Sequence, residues 1–135
     1  MSVILVDTSV LLDVLTDDPV WADWSQSALE HASSKGDLGI NDIVFSELSI
    51  RFETVEALDS AVAPMGLRHA PIPRAALFLA GKAFLRYRQQ RGTRTGVLPD
   101  FFIGAHAAVA DCPLITRDTR RIAHYFPRVT LIAPA

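Results

Sequence analysis

The sequence predicts an α/β fold, a three-layer α/β/α sandwich with a short central parallel sheet, and three observations predict it. Short runs of β-branched and apolar residues alternate along the chain with segments whose apolar residues recur at helical spacing. Strands joined through helices in this way pair in parallel, and the helices cover both faces of the sheet. Acids stand directly after two of the runs, Asp7 and Asp118, which is where open parallel sheets place their ligands. A chain of 135 residues has the size of one domain, and a single domain over 1–135 is expected.

Val3 to Val6 is the first strand, ended by the polar Asp7-Thr8-Ser9. Val10, Leu11 and Val14 follow at helical spacing in a helix beginning near Ser9. After Asp17-Asp18-Pro19 a second helix carries Trp21, Trp24, Ala28, Leu29 and Ala32 on one stripe until Gly36. Leu38 to Ile40 is a short strand. Asp42 to Phe52 reads as a helix with Val44, Leu48 and Phe52 inward, and Thr54 to Val62 as another with Val55, Leu58 and Val62 inward. Leu67 to Ala70 is a weak strand. From Pro73 a helix with Leu77, Ala80, Phe84 and Tyr87 on its inner face runs to the loop of Gly92, Thr93, Arg94, Thr95 and Gly96. Pro99, at a first-turn position, opens an apolar helix over Asp100 to Ala110. Leu114 to Thr116 is a strand, Thr119 to Tyr125 a helix, and Val129 to Ile132 the last strand.

Composition narrows the classes. With 50% hydrophobic and 21% charged residues the chain is globular, neither disordered nor fibrous, and the lone Cys112 excludes a disulfide scaffold. The longest uncharged apolar stretch, Ala75 to Gly81, is too short to span a bilayer, and Met1 to Val6 lacks the flank and length of a secretion signal, so a cytoplasmic protein is expected. The net charge of −2 hides an asymmetry: residues 1–67 hold 2 Lys/Arg against 12 Asp/Glu, and residues 68–135 hold 11 against 3, giving −10 and +8. Either opposite charges pair across the fold, or acidic metal ligands share the molecule with a phosphate-binding face.

Four acids are candidates to converge. Asp7 and Asp118 follow strands, Asp100 lies in the first turn of a helix, and Glu47 projects from a short amphipathic helix between Phe45 and Leu48. Carboxylates crowded in a low-dielectric pocket repel, and a divalent cation relieves the repulsion; oxygen donors select Mg²⁺ or Mn²⁺. Each acid also has a plainer role. Asp7 and Asp118 suit helix caps, Asp100 suits the positive end of a helix dipole, and Glu47 suits a solvated helix surface.

Four segments together resemble the PIN-domain ribonucleases, and within them the VapC toxins of bacterial toxin–antitoxin pairs. Val6-Asp7-Thr8-Ser9-Val10-Leu11-Leu12 resembles the first motif and Ser46-Glu47-Leu48 the second. Leu98-Pro99-Asp100-Phe101-Phe102-Ile103-Gly104-Ala105-His106-Ala107 resembles the third and Leu114-Ile115-Thr116-Arg117-Asp118 the fourth. The run from Thr119-Arg120-Arg121 through Tyr125-Phe126-Pro127 to Leu131-Ile132 is similar to the family as well. The resemblance implies a PIN-like sandwich and a metal-dependent endoribonuclease, acting on tRNA or rRNA. Asp7, Glu47, Asp100 and Asp118 would form its catalytic Mg²⁺ site, with Mn²⁺ able to substitute. Asp7 and Asp100 would ligate directly, Glu47 and Asp118 through water, and Thr8, Ser9 and Thr116 would hold the carboxylates or a water. It also implies a VapB-type antitoxin as partner and a toxin homodimer. The alternative is a catalytically silent PIN-type module that binds RNA or metal.

Eleven of the 13 basic residues are arginine, whose forked donors match phosphate oxygens. Arg91 and Arg94, with Arg86 and Arg88 beside them, and Arg117, Arg120 and Arg121 around Asp118 are the expected RNA-binding residues. A haloacid-dehalogenase-type phosphatase is disfavoured because Ser9 stands where that family needs a second Asp. His106, roughly 240° around its helix from Asp100, is expected to pack or hydrogen-bond rather than ligate. His31, His69 and His124 lack ligand spacing, Cys112 is expected to be structural, and Trp21 and Trp24 to lie in the core or a subunit interface.

Overall fold

A computed structural model describes residues 2–94 and 96–135, so Thr95 of the predicted loop lies outside the described residues. Five strands form one parallel sheet in the order β3-β2-β1-β4-β5. They are β1 (Val3–Val6), β2 (Asp37–Ile40), β3 (Arg68–His69), β4 (Leu114–Ile115) and β5 (Leu131–Ile132). Seven α-helices connect them: α1 (Thr8–Leu15), α2 (Ala22–Ser33), α3 (Asp42–Ser49), α4 (Val55–Val62), α5 (Arg74–Gln89), α6 (Leu98–Ala110) and α7 (Arg120–Tyr125). This is the expected α/β sandwich with a short parallel sheet.

The order of the strands fixes where a site can form. From β1 the chain steps outward to β2 and β3, then returns across the sheet to β4 and β5 on the other side of β1. Right-handed crossovers therefore put α1 to α4 on one face and α5 to α7 on the other. The direction reverses between β1 and β4, which pair as Leu5 with Leu114 and Val6 with Ile115. A crevice opens outside the carboxyl ends of strands at such a switch point. Asp7 and Thr116 are the residues that leave these two strands, and Asp7 N–H donates to the Ile115 carbonyl at 2.9 Å.

The core joins Ile4, Leu5 and Val6 with Val10, Leu11, Leu48, Phe101, Ile103, Leu114 and Ile115, all buried. Helix α6 is buried nearly all round from Phe101 to Ala107, as its largely apolar sequence requires. Gly104 lets α7 approach, since a Cβ there would meet Phe126 Cδ2 at 2.5 Å. Asn41 caps α3 by accepting the Val44 N–H at 3.0 Å through its side-chain oxygen. Its amide nitrogen is thereby the donor to His106 Nδ1 at 3.2 Å. His106 is thus the buried packing histidine the sequence implied, and burial lowers its pKa.

Several boundaries and faces differ from expectation. The inner face of α5 carries the expected Ala80, Phe84 and Tyr87 together with Ala76 and Ala83, and Leu77 points outward, because small residues let α5 pack tightly on α6. Val55 is likewise exposed, and Leu58 is the buried residue of α4. Helix α3 stops at Ser49 rather than Phe52. The strand expected over Leu67 to Ala70 shrinks to Arg68–His69, β4 ends at Ile115, and β5 starts at Leu131 rather than Val129. No helix among the described residues is long and apolar enough to cross a membrane.

Candidate functional site

Asp7 stands at the switch point as the N-cap of α1. Its Oδ1 accepts the Thr8 N–H at 2.8 Å and its Oδ2 accepts the Thr116 hydroxyl at 2.7 Å, while Ser9 Oγ lies farther off at 3.5 Å. The capping role and a site role therefore coexist in this residue. Burial pushes the Asp7 carboxyl up from the usual aspartate range; the bonds from Thr116 and Thr8 oppose the rise, and repulsion from Glu47 and Asp118 adds to it.

Each of the other acids is tied to this carboxylate or held beside it. Thr8 Oγ1 donates to Glu47 Oε1 at 2.6 Å, so Glu47 is drawn inward from α3 and is not a solvated helix residue. Thr116 Oγ1, while donating to Asp7, accepts the Asp118 N–H at 3.1 Å and so turns the chain just after β4. Asp118 does not cap α7: Thr119 occupies that position and makes no side-chain cap. Asp100, in the first turn of α6, accepts from Arg121 Nη1 at 2.6 Å. Burial again raises its pKa most, the charge of Asp7 raises it further, Arg121 opposes the rise, and Asp118 adds to it. Four segments of chain thus bring four acids into one electrostatic neighbourhood. Among the described residues no three His, Cys, Asp or Glu side chains stand close enough to hold a metal ion together.

An all-oxygen, anionic donor set in a partly desolvated crevice fits a hard divalent cation and offers nothing to a soft one. The carboxyls of Asp7 and Asp100 are raised first by desolvation and then by the neighbouring acids, and Arg121 offsets part of the rise at Asp100.

Residues 4–128 match the family profile of the PIN domain. The chain belongs to the PIN-domain family. Solved structures of similar fold include VapBC2 from Rickettsia felis bound to a DNA fragment from its promoter, at 17% identity and a TM-score of 0.75 over 98% of this chain and 99% of that one. DNA-bound VapBC from Salmonella typhimurium follows at 14% identity and 0.70 over 98% of each chain. A toxin–antitoxin complex from Klebsiella pneumoniae matches at 21% identity and 0.66, again over 98% of each. No curated protein matches the sequence.

The arginines of this PIN domain divide into two groups. Arg117 turns away from the crevice: its Nε and Nη2 donate to Asp13 Oδ2 and Oδ1 at 2.7 and 3.0 Å, and its guanidinium lies 5.0 Å from the centre of the Trp21 ring. Ser25 Oγ gives Asp13 a third hydrogen bond at 2.7 Å. The expected phosphate contact from Arg117 is therefore replaced by a buried ion pair that ties the fourth motif to α1 and α2. Asp13 went unremarked in the sequence, although a charge inside Val10-Leu11-Leu12-Asp13-Val14-Leu15 signals a buried partner. Arg94, Arg120 and Arg121 instead line one cavity of about 500 Å³ together with Asp118. Arg91 is exposed, in the left-handed conformation (φ 66°), where the chain leaves α5.

Proposed function

We propose that this PIN domain is the VapC-type toxin of a toxin–antitoxin pair, a metal-dependent endoribonuclease cleaving tRNA or rRNA. The observation that carries the reading is the partly buried Asp7 carboxylate at the switch point, hydrogen-bonded by Thr116 just beyond β4 and repelled by Glu47 and Asp118. A merely capping aspartate needs no such company. PIN domains are as a class nucleases that use divalent metal, and Asp7 and Asp100 would hold Mg²⁺ or Mn²⁺ here, with Glu47 and Asp118 acting through water. The bound cation supplies charge neutralisation at the scissile phosphodiester and a more acidic attacking water.

The chain's own groups prepare that chemistry. Thr116 and the Thr8 N–H fix both oxygens of Asp7, so that the lone pairs left over face the crevice. Thr8 orients Glu47 in the same way. Arg121 holds Asp100 in its rotamer and brings a positive charge to the place where phosphate must enter. Arg94 and Arg120, exposed in the cavity wall beside Asp118, are suited to the flanking phosphates, and the exposed Arg91 would extend that charge along the RNA.

The partner follows from the same reading. The complexes of similar fold pair a toxin with its antitoxin, and this chain has a cleft of about 290 Å³ among α1, α2 and α4, with an apolar floor that includes Val14, Leu29, Leu38 and Met65 and a polar side of Gln26, Glu30 and Ser33. A VapB-type antitoxin segment would cover it. The outward Leu77, Phe78 and Leu85 of α5 give a homodimer an apolar face.

The test is cleavage of total cellular RNA by partner-free protein in EDTA, Mg²⁺ or Mn²⁺, beside Asp7→Asn and Asp100→Asn, with new ends mapped by sequencing. Discrete metal-dependent ends that vanish in both variants are expected. Identical background from folded wild type and variants under every condition would favour the silent RNA- or metal-binding module.

A further inference from the structure

We propose that the cavity beside Asp118 is a nucleobase pocket, which takes one unpaired base of the RNA next to the bond being cut. The proposal rests on the nuclease reading and gives it a substrate feature. The cavity has about 500 Å³, within the range of small-molecule sites and far more than a phosphate group needs. Its walls are of two kinds. Arg94, Arg120 and Arg121 supply positive charge, and Tyr87, His124 and Tyr125 supply aromatic surface.

The aromatic wall is anchored to the core. The Tyr125 ring packs edge-on against buried Phe101 at 5.1 Å, and Tyr87 tilts against the same ring at 5.6 Å. Phe101 is the neighbour of Asp100, so the wall and the acid share one turn of α6. Both hydroxyls are engaged: Tyr125 donates to Gln90 Oε1 at 2.6 Å, and Tyr87 accepts the Arg94 N–H at 3.1 Å. The loop carrying Arg94 crosses the Tyr87 ring at Gly92, where a Cβ would collide with Cε2 and Cζ. His124 and Tyr125 meet nearly at right angles, 83° with centroids 4.6 Å apart, and form a corner in the cavity wall, with the Arg86 guanidinium 5.3 Å from the centre of the Tyr125 ring. Aromatic surface beside arginines combines the two features on which single-stranded nucleic acids are held, a stacking platform and positive charge for the backbone.

Arg121 sets the distance to the chemistry. One guanidinium both holds Asp100 and lies 5.9 Å from the centre of the Tyr87 ring, so it spans from the acids to the aromatic wall. A base in the corner therefore belongs to a nucleotide adjoining the scissile phosphate. Because the base must leave its stack to enter, the substrate is single-stranded there, as in a loop.

The experiment is a titration of full-length, partner-free protein in EDTA with 5′-AMP, 5′-CMP and ribose 5-phosphate, followed by NMR or calorimetry. The nucleotides are expected to bind at least tenfold more tightly than ribose 5-phosphate. His124→Ala, at an exposed position, should weaken nucleotides roughly fivefold and leave ribose 5-phosphate unchanged, while Arg120→Ala weakens all three alike. Equal binding of nucleotides and ribose 5-phosphate, or nucleotide binding indifferent to His124→Ala, overturns the pocket. Cleavage is absent in EDTA, so a protein that binds nucleotides in this pattern yet cuts no RNA with metal added would sink the nuclease reading and leave the pocket standing.

Discussion

Replacing Arg117 by methionine should destabilise the fold far more than it disturbs phosphate binding. Asp13 is 3% exposed and its two oxygens accept three hydrogen bonds, two of them from Arg117. Methionine keeps most of the volume over Trp21 but leaves a buried carboxylate with the Ser25 hydroxyl alone. Removing one member of a buried ion pair costs about 3–5 kcal/mol, and the arginine's partial exposure, 28%, argues for the low end, about 3 kcal/mol. For a domain of this size that is a fall of roughly 10 °C in Tm, or about 2 M in the urea midpoint at unchanged slope. The remedy is as informative as the damage. The triple variant Asp13→Leu/Ser25→Ala/Arg117→Met removes every polar member and should return to within about 1.5 kcal/mol of wild type, with RNA cleavage retained. A loss under about 0.5 kcal/mol for Arg117→Met, or a triple variant that folds well but no longer binds RNA, would refute the reasoning and restore Arg117 to the phosphate face.

The raised carboxyls of Asp7 and Asp100 fix a sign for pH. An acid whose folded pKa lies above its unfolded value contributes stability that is complete below the unfolded pKa and lost as pH rises through the folded one. Metal-free protein should therefore lose that contribution on going from acid toward neutral pH. Mg²⁺ or Mn²⁺ should raise Tm more at pH 8 than at pH 5, and calorimetry in buffers of different ionisation heat should register proton release on binding; a Tm gain independent of pH contradicts the proposed ligands. Gly104→Ala places a methyl 2.5 Å from Phe126 Cδ2 and should cost about 1–3 kcal/mol in urea unfolding, whereas a neutral result means α7 is free to shift. Asn41→Ala removes a helix cap and the amide facing His106 together. It should cost about 2 kcal/mol by the same measurement and should raise the folding cost of His106 rather than change metal affinity.

The elements of this fold were legible where burial repeats at a fixed period. Val3 to Val6 and the apolar α6 could be nothing but buried, and their neighbours in space are set by connection rules. Faces were misjudged where size, not polarity, decides contact: Ala76, Ala80 and Ala83 face α6 while the larger Leu77 looks out. Periodicity weights leucine above alanine and so adds Leu77 to a stripe whose other members, Ala80, Phe84 and Tyr87, do face the core. Of the site, the strand-end positions of Asp7 and Asp118 were readable from topology alone. That Thr8 reaches Glu47 across 39 residues was not, because a hydroxyl in a capping position has the same sequence signature whether or not a distant acid meets it. Arg117 shows the same limit from the other side: its place next to Asp118 predicts a surface arginine, and only the packing of α1 against α2 brings Asp13 beneath it.

Of the two explanations for the opposed charges of the halves, pairing across the fold accounts for part of the asymmetry. Arg117 with Asp13 and Arg68 with Asp37 pair the basic half with the acidic one, the first buried and the second exposed. These pairs consume arginines without gathering any potential. Arg121 behaves differently: it pairs with Asp100 inside its own half, at the mouth of the acidic crevice. Arg94 and Arg120 line the adjoining cavity, and among the described residues neither side chain is in an ion pair. Positive charge without an ion-pair partner is therefore concentrated beside acids of which, among the described residues, Asp100 is paired. Left alone, oppositely charged groups on flexible side chains would close on one another and lower the energy of both. Two restraints oppose that collapse here: Thr116 and Thr8 hold the acids from beneath, and the chain beside the Tyr87 and Tyr125 wall holds the arginine segments to the rim. Only Arg121 reaches across. A crevice kept open in this way is the arrangement that the proposed metal-dependent nuclease requires, since it must accept a cation and a polyanion at once.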